Sequence, residues 1–471
     1  MAETTQTAVE ERPSVLPELR KAEALPPEPP GNSRVLFLST TAFFLSFAIW
    51  ALYAPFGPYF REWFGLSADQ ALTIAAIPAL LGSVLRVPVG ILTDRYGGRR
   101  VFSVLLLFVF FPVVAAMFAN SYLALLLCGL FFGTIGTSFI IGITHVSSWY
   151  PQAAQGTALG IYGIGNVGTI LATIVVPILI EKVFKDVQVG PISGWHFIFP
   201  IYATPALVMA FVYWTLTSDA PRRGKPKTFG DLFSVYKSGG LVWILSFLYW
   251  MTFGGFVCFS LFSPTYFNDR WEIPRDQASL IYTTIFVIIT ALIRPVGGYL
   301  SDKIIDARKL LTIVYSVSLI LLGVMSAEIS FPITVGCIYG LGFCCGIGNA
   351  AVFKLIPTYF TQVGAVGGLA GAMGGGRRLL HAHYHGSFER PYRQLYPRLP
   401  GLVRYLSGLP YSLFNAQALL QAKDLKTHVS KILYNFSRWY SQANLPPYIY
   451  PSCTPAVSLP GLSVCRRGVY G

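Results

Sequence analysis

The sequence predicts an all-α polytopic membrane protein, and its composition, charge distribution and internal repeat all favour this fold class. Of the 471 residues, 54% are hydrophobic and only 12% are charged, and the mean hydropathy is +0.56. A soluble protein needs roughly twice that charged fraction to cover its surface. Residues 101–180 contain no Asp, Glu, Lys or Arg. A transmembrane helix needs about 20 apolar residues, so this stretch is long enough for about three of them.

Ten apolar segments have the length of a membrane span. They are 35–57, 71–92, 101–119, 122–148, 155–180, 196–216, 241–266, 278–300, 310–327 and 331–355. The longest connection is basic, rich in helix breakers, and separates six spans from the rest. The domain organisation that follows is a disordered cytoplasmic leader at 1–34, a six-helix half at 35–216, a cytoplasmic linker at 217–240 and a second half at 241–376.

The distribution of basic loops predicts the orientation, because loops rich in Arg and Lys stay in the cytoplasm. These residues are concentrated in 94–100, in the linker and in 301–309, whereas the loops near Asn120 and Glu328 carry none. We expect a multi-pass protein of the cell (plasma or inner) membrane that is embedded in the lipid bilayer and has a cytoplasmic N-terminus.

The two halves share a repeat. Residues 86–95 read RVPVGILTDR and residues 294–303 read RPVGGYLSDK, so Arg, Gly, Leu, Asp and the base after it recur after 208 residues. Each copy falls on the second span of its half. Parallel repeats of this kind organise major-facilitator transporters, which predicts two pseudo-symmetric six-helix halves about a central cavity.

Four motifs carry a resemblance to a known family. Residues 90–100, GILTDRYGGRR, resemble the cytoplasmic loop signature of the major facilitator superfamily. Residues 156–168, GTALGIYGIGNVG, and 364–375, GAVGGLAGAMGG, resemble the two nitrate signatures of its nitrate/nitrite porter family. Residues 346–357, GIGNAAVFKLIP, are similar to that family's tenth span. The resemblance covers about residues 35–375 and implies transport of nitrate and nitrite by alternating access.

Two arginines lie deep within predicted spans. Arg86 and Arg294 each precede by eight residues an Asp that marks the membrane interface, which places them about 12 Å deep. An arginine near the middle of the membrane costs at least about 2.5–3.5 kcal/mol. No predicted span contains an Asp or Glu, so the arginines either bind a small anion or cap backbone carbonyls, and we favour the anion. A planar guanidinium matches the in-plane acceptors of nitrate and nitrite.

The resemblance implies the remaining substrate-binding residues. It adds Asn166 and Tyr249 to Arg86 and Arg294 as groups that bind the anion. It also implies that the rings of Phe139, Phe253 and Phe47 form the pocket wall. Without the resemblance, these rings would be interpreted as core or lipid-facing packing.

A second group of residues is expected to serve the conformational change. The loop signature and its repeat contribute Gly90, Asp94, Arg95, Gly298 and Asp302, and the nitrate signatures contribute Gly160, Gly163, Gly165, Gly168, Gly368, Gly371 and Gly375. Small residues at this spacing let helices approach closely. That property suits either sliding of the two halves or simple tight packing.

Other functions have little support in the sequence. No nucleophile–base pair, metal-ligand spacing or cofactor motif is present, so we expect neither an enzyme nor a metal or cofactor site. Residues 377–471 hold 12 Lys and Arg against two acids, so most of the formal charge of +14 lies there. The mildly basic remainder argues against a nucleic-acid partner.

The coupling mode is predicted from what the spans lack. Many proton-driven carriers use an acid inside the membrane. Because the predicted spans lack one, we expect the protein to exchange nitrate for nitrite. We also expect it to be a monomer. Proton or sodium symport stays open. The alternative functions are a carrier for another small anion and an inactive or sensory membrane protein.

The family pattern stops near residue 376. Arg377 and Arg378 follow, and residues 377–471 contain no obvious span. Permitted codons for residues 376–385, read one nucleotide over, can give GGGFFTPTIM, which fits the expected eleventh span. We therefore expect 377–471 to be an atypical basic tail from a frame change that truncates the second half; a genuine regulatory tail is the alternative.

Overall fold

The computed structural model describes residues 30–189, 192–221, 228–237, 239–274, 277–325 and 329–375. The predicted leader lies outside these residues except for 30–34. The predicted tail at 377–471 lies wholly outside them, so its interpretation rests on sequence alone.

Helices make up almost all of the described chain. Their bounds are α1 Ser33–Trp50, α2 Tyr53–Trp63, α3 Ala68–Val84, α4 Arg86–Tyr96, α5 Gly98–Ala116, α6 Tyr122–Phe132, α7 Ser138–Trp149, α8 Gln152–Gly163, α9 Gly168–Ile178, α10 Ile198–Leu216, α11 Phe229–Ser234, α12 Gly240–Trp271, α13 Thr284–Leu292, α14 Arg294–Lys303, α15 Ala307–Met325, α16 Phe331–Tyr359 and α17 Val363–Gly375. Two short strands, β1 Gln188–Val189 and β2 Ile192–Ser193, pair antiparallel between α9 and α10, with Gln188 opposite Ser193.

The predicted fold class is confirmed. Within the described residues, nine helical regions are long and apolar enough to cross a membrane, or ten when the bent pair α3–α4 counts as one span. These regions coincide with the ten predicted spans. Large apolar side chains such as Phe37 and Phe111 remain exposed on the outer faces, as a surface in contact with lipid requires.

Polar caps begin several helices where the apolar pattern is interrupted. The side chain of Asn32 accepts a hydrogen bond from the N–H of Val35 before α1. Ser67 and Gln70 form a capping box before α3, and the Ser121 side chain caps α6. Each cap satisfies a backbone N–H that the first turn of a helix leaves without an internal partner.

Two spans break immediately before their deep arginine. α3 and α4 meet at Leu85 with a bend of 42°, and Arg86 is the first residue of α4. Ile293 separates α13 from α14 in the same way, so Arg294 begins α14. The sequence alone predicted uninterrupted spans at both places. The breaks set each arginine at the start of a new helical segment.

Short 3₁₀ segments interrupt two neighbouring spans of the first half. Residues Gly133–Thr137 lie between α6 and α7, and Ile164–Val167 lie between α8 and α9. Such tight turns within a helix often mark functional positions, because they change which backbone carbonyls are free to accept other hydrogen bonds. Both segments contact the arginines described below.

Candidate functional site

Arg86 is buried and joins the two halves. Its Nε donates a hydrogen bond to the carbonyl of Gly136, in the first 3₁₀ segment, at 3.2 Å. Its Nη1 donates to the carbonyl of Gly371, on α17, at 2.6 Å. The guanidinium carbon lies 5.4 Å from the ring centre of Phe139 and 5.7 Å from that of Phe253, within cation–π range.

Arg294 is equally buried, with 3% of its surface exposed. Its Nη1 donates to the carbonyl of Gly163 at 3.4 Å. Because a guanidinium can only donate, the Asn166 amide turns its Oδ1 towards Arg294 and accepts from Nη1 and, at 2.7 Å, from Nη2. Nε of Arg294 has no hydrogen-bond partner among the described residues.

The two arginines are related by the sequence repeat, and so are their partners. Arg86 and Arg294 are 208 residues apart, and the same shift relates Gly163 to Gly371. Each arginine therefore donates to the equivalent carbonyl in a nitrate signature of the opposite half. Asn166 breaks the symmetry, since the same shift leads to Gly374, which has no side-chain amide.

An aromatic group lies beside the arginines. Tyr249 stacks on Phe253 with ring centres 5.1 Å apart, and its ring lies 5.9 Å from that of Phe139. Phe353 meets Tyr249 edge-on at 4.7 Å. Both guanidinium groups lie near the Tyr249 hydroxyl. That hydroxyl is buried and has no hydrogen-bond partner in the described part of the chain.

Phe47 lies one layer away from this group. Its ring packs on Phe43 at 4.4 Å and on Trp50 at 5.3 Å. Phe43 in turn contacts Phe139 at 5.7 Å, so Phe47 is linked to the arginines through two other rings. The structure thus brings six of the seven predicted substrate-binding residues together around the arginines and places Phe47 behind them.

The site is suited chemically to a small anion. Two buried cations come from opposite halves, and the intramembrane acids that could neutralise them are absent from the predicted spans. The unpaired donors at Arg294 and Tyr249 need an acceptor, because leaving a buried donor without one is unfavourable. A planar oxyanion supplies several acceptors in one plane and fits the fork of a guanidinium.

The two halves also meet through a pair of aspartates. Asp94, on α4, accepts the backbone N–H of Gly364 and of Ala365, both at 2.9 Å, at the start of α17. Asp302, on α14, accepts the N–H of Gly156 at 3.0 Å and both the N–H and the hydroxyl of Thr157, at 2.7 and 2.8 Å. We call the end of the molecule that carries these two aspartates the latch end.

Lys354 strengthens one side of the latch end. Its Nζ lies 2.6 Å from the carboxylate of Asp302, which is fully buried, and it also bonds the carbonyl of Gln152. This residue was not among those predicted to be functional. The sequence did contain a signal for a functional role, because Lys354 is the one charged residue in the predicted span 331–355.

Glycines allow the halves to approach closely along these helices. A methyl group added to Gly90 would collide with the carbonyl of Gly364, and one added to Gly298 with that of Gly156. The same holds for the remaining glycines of the contact. Gly160 faces the carbonyl of Arg294, Gly368 faces that of Arg86, Gly163 and Gly371 face the two arginine side chains, and Gly375 faces Ser83.

Two of the predicted glycines lie elsewhere. Gly165 packs against the ring of Phe43, and Gly168 packs against the backbone of Phe44. Both therefore face α1 within their own half, not the opposite half. The first nitrate signature thus divides into an N-terminal part that faces the second half and a C-terminal part that packs against α1.

Arg95 connects the latch end to the linker. Its guanidinium stacks on Phe229 of α11, 4.0 Å from the ring centre. The hydroxyl of Tyr236, just after α11, donates to the carbonyl of Ala365 at 2.9 Å. Burial, reinforced by the charge of Asp94, raises the pKa of Tyr236 to about 12, so this hydroxyl remains a donor at neutral pH.

Comparisons with known proteins agree with this architecture. The sequence profile of the Major Facilitator Superfamily matches residues 39–378. Among solved structures, a proton:xylose symporter of that superfamily superposes with a TM-score of 0.61 at 14% identity, covering 79% of this chain and 92% of its own. The human organic anion transporter MFSD10 superposes with a TM-score of 0.57 at 15% identity, covering 75% and 93%. At this identity the likeness concerns the fold.

Closer relatives are found by sequence. The "Probable nitrate/nitrite antiporter NarK1" of Thermus thermophilus is 39% identical over 370 residues, covering 74% of this chain and 83% of the relative. The "Nitrite extrusion protein" of Bacillus subtilis is 33% identical over 346 residues, covering 72% and 83%. The "Probable nitrate transporter NarT" of Staphylococcus epidermidis is 31% identical over 343 residues, covering 72% and 85%. The chain belongs to the nitrate/nitrite porter family of the major facilitator superfamily.

Proposed function

We propose that this protein transports nitrate and nitrite across the cell membrane by alternating access. The observation that carries the proposal is the pair of buried arginines, one from each half, with unpaired donors beside them. The anion binds between Arg86 and Arg294. Asn166 and Tyr249 complete the polar part of the site, and Phe139 and Phe253 wall it, with Phe47 behind them. The names of the relatives support this choice of anion.

We also propose that the structure represents the state that is closed to the cytoplasm. The basic loops favour a cytoplasmic position for the latch end and the N-terminus. In the alternate state, the contacts of Asp94 and Asp302 are broken and the arginines become accessible from that side. The glycines at the contact favour this movement because they leave few side chains to interlock.

Exchange of nitrate for nitrite, by a monomer, is the proposed transport mode. The test is counterflow: proteoliposomes loaded with nitrite receive labelled nitrate outside, and uptake is followed over time. We expect uptake by the full chain to require internal anion. Uptake that instead follows an imposed proton or sodium gradient, without internal anion, would replace exchange by symport.

Three variants test the site in the same assay. Removing one arginine leaves the anion with a single cation, and losing a buried charged partner costs about 2–5 kcal/mol. We expect Arg86→Ala and Arg294→Ala to lower uptake at least about thirtyfold. Arg308→Ala is the matched control, because Arg308 is exposed and pairs with the nearby Asp306 at the surface. Equal uptake by all three variants would refute the proposed site.

The tail at 377–471 calls for a separate test. We propose that it is the product of a frame change and that the natural second half continues with two more spans. Resequencing the gene is expected to give an open frame that encodes apolar helices after residue 376. If the frame as written is upheld, the tail is a genuine extension, and counterflow by the full chain shows whether transport tolerates it.

A further inference from the structure

Asn349, on α16, is a buried polar residue with no assigned role. Only 3% of it is exposed, and neither its Oδ1 nor its Nδ2 has a hydrogen-bond partner among the described residues. Buried amides are normally paired, because an unpaired one loses its bonds to water without replacement. An amide with both atoms unpaired therefore requires an explanation in the function of the protein.

The position of Asn349 on its helix is close to the site formed by the two arginines. Residues four apart lie on one face of a helix, one turn from each other. One turn before Asn349 are Cys345, whose sulfur faces Gly255 of α12, and Gly346, which packs against Ile293, the residue before Arg294. One turn after it is Phe353, whose ring contacts that of Tyr249. Asn349 thus lies between the part of α16 that meets the residue before Arg294 and the part that meets Tyr249.

The two halves differ in whether a backbone carbonyl accepts a hydrogen bond from Nε of the buried arginine. In the first half, a 3₁₀ segment interrupts the span and its Gly136 carbonyl accepts from Nε of Arg86. In the second half, α16 runs as α-helix from Phe331 to Tyr359. Its carbonyls serve the helix itself, and Nε of Arg294 has no partner in the described chain. Asn349 is a buried polar side chain on this part of α16.

We propose that the Asn349 amide is a further anion-binding group of this transporter and contributes to the choice between nitrate and nitrite. Its Nδ2 donates to an oxygen of the bound anion. Its Oδ1 then accepts from one of the neighbouring unpaired donors, Nε of Arg294 or the hydroxyl of Tyr249. Nitrate has three oxygens and nitrite has two, so the additional donor favours nitrate. This inference rests on the proposed function.

The test compares Asn349→Leu and Asn349→Asp with the unchanged full chain. Leucine keeps the branched shape and removes the donor, whereas aspartate adds a negative charge that competes with the anion for Arg294. A hydrogen bond to a charged group corresponds to about a tenfold change in affinity or more. By calorimetric titration of purified protein, we expect Asn349→Leu to weaken nitrate binding about tenfold and nitrite binding less. Asn349→Asp should abolish binding of both anions.

The control is Thr334→Val on the same helix. Thr334 is fully buried, and its hydroxyl bonds the carbonyl of Ser330 in its own helix, so the variant is expected to bind nitrate normally. A second readout is the infrared stretch of bound ¹⁵N-labelled nitrate. Loss of one donor should change the splitting of this band in Asn349→Leu, at nitrate concentrations that saturate the site, whereas a purely structural effect would leave it unchanged.

The outcomes separate this inference from the proposed function. If the unchanged chain binds nitrate and Asn349→Leu binds both anions equally well, with the same infrared band, the role of Asn349 is refuted and the proposed function stands. If the unchanged chain binds neither anion while remaining folded, the proposed function fails, and this assignment fails with it.

Discussion

Replacing Asp302 by asparagine should open the latch end. The buried carboxylate receives two backbone N–H groups and one hydroxyl from α8, and the ammonium of Lys354 lies against it. Asparagine has the same shape but has one acceptor oxygen in place of two. At least two of these four hydrogen bonds are therefore lost, and the remaining ones no longer involve a negative charge.

The size of the effect follows from these contacts. A hydrogen bond to a charged group contributes about 1.5–3 kcal/mol, so losing two costs about 3 kcal/mol or more. That free energy changes the equilibrium between the closed and open states about 150-fold. At Asp94, asparagine loses one of the two hydrogen bonds from the start of α17, so we expect Asp94→Asn to shift the same equilibrium about tenfold.

The assay is a distance measurement between spin labels at positions 100 and 309. Arg100 and Lys309 are exposed and belong to opposite halves near the latch end, so their separation increases when this end opens. We expect the population of long distances to rise in the order unchanged protein, Asp94→Asn, Asp302→Asn. Counterflow should fall in the same order, because exchange requires both the closed and the open states.

Asp306→Asn is the matched control for this experiment. Asp306 lies in the connection after α14, is partly exposed, and pairs with Arg308 only locally. It is expected to leave both the distance distribution and the exchange rate unchanged. If Asp302→Asn gave the same distances as Asp306→Asn, the two aspartates would not hold the halves together, and the reasoning would be wrong.

Three further variants examine other parts of the structure. Gly298→Ala places a methyl group against the facing carbonyl of the opposite half, at a cost of about 1–3 kcal/mol, and should slow counterflow at least about fivefold. Gly336→Ala, whose added methyl group meets no atom of the described residues within 4 Å, should not. Tyr249→Phe removes an unpaired hydroxyl, so it should leave the melting temperature unchanged while raising the KM for nitrate about tenfold. His145→Phe removes one hydrogen bond to the Tyr213 hydroxyl and one to the Ser218 carbonyl, although Ser39 and Trp149 still bond these groups, and should destabilise the protein by about 2 kcal/mol, measured by thermal unfolding. His196→Phe, at a half-buried site with one local hydrogen bond, should destabilise it less.

Much of the fold could be predicted from local sequence. A membrane span is recognised from about 20 consecutive apolar residues, which is a property of the segment alone. The depth of Arg86 and Arg294 follows from their distance along the helix to Asp94 and Asp302. The cost of a charge in the membrane then made both arginines functional candidates before any contact was known.

The residues that these side chains contact could not be predicted from local sequence. Asp94 bonds the start of α17, 270 residues further along the chain, and no local pattern specifies such a pairing. The motifs also gave no means of separating Gly165 and Gly168, which face α1, from Gly160 and Gly163, which face the other half. Which side of a helix meets which neighbour depends on how whole helices pack against one another.

Phe47 and Asn349 illustrate the same contrast between what local sequence predicts and what helix packing decides. Phe47 was expected at the anion site because of the family resemblance, yet packing places two rings between it and the arginines. Asn349 lay within a recognised motif, but only the three-dimensional structure reveals that its amide is buried with no hydrogen-bond partner among the described residues. Composition and spacing determine which segments enter the membrane and where charge is buried, because those depend on each segment's own contact with lipid. The positions of the side chains at the centre depend instead on packing between helices far apart in the chain.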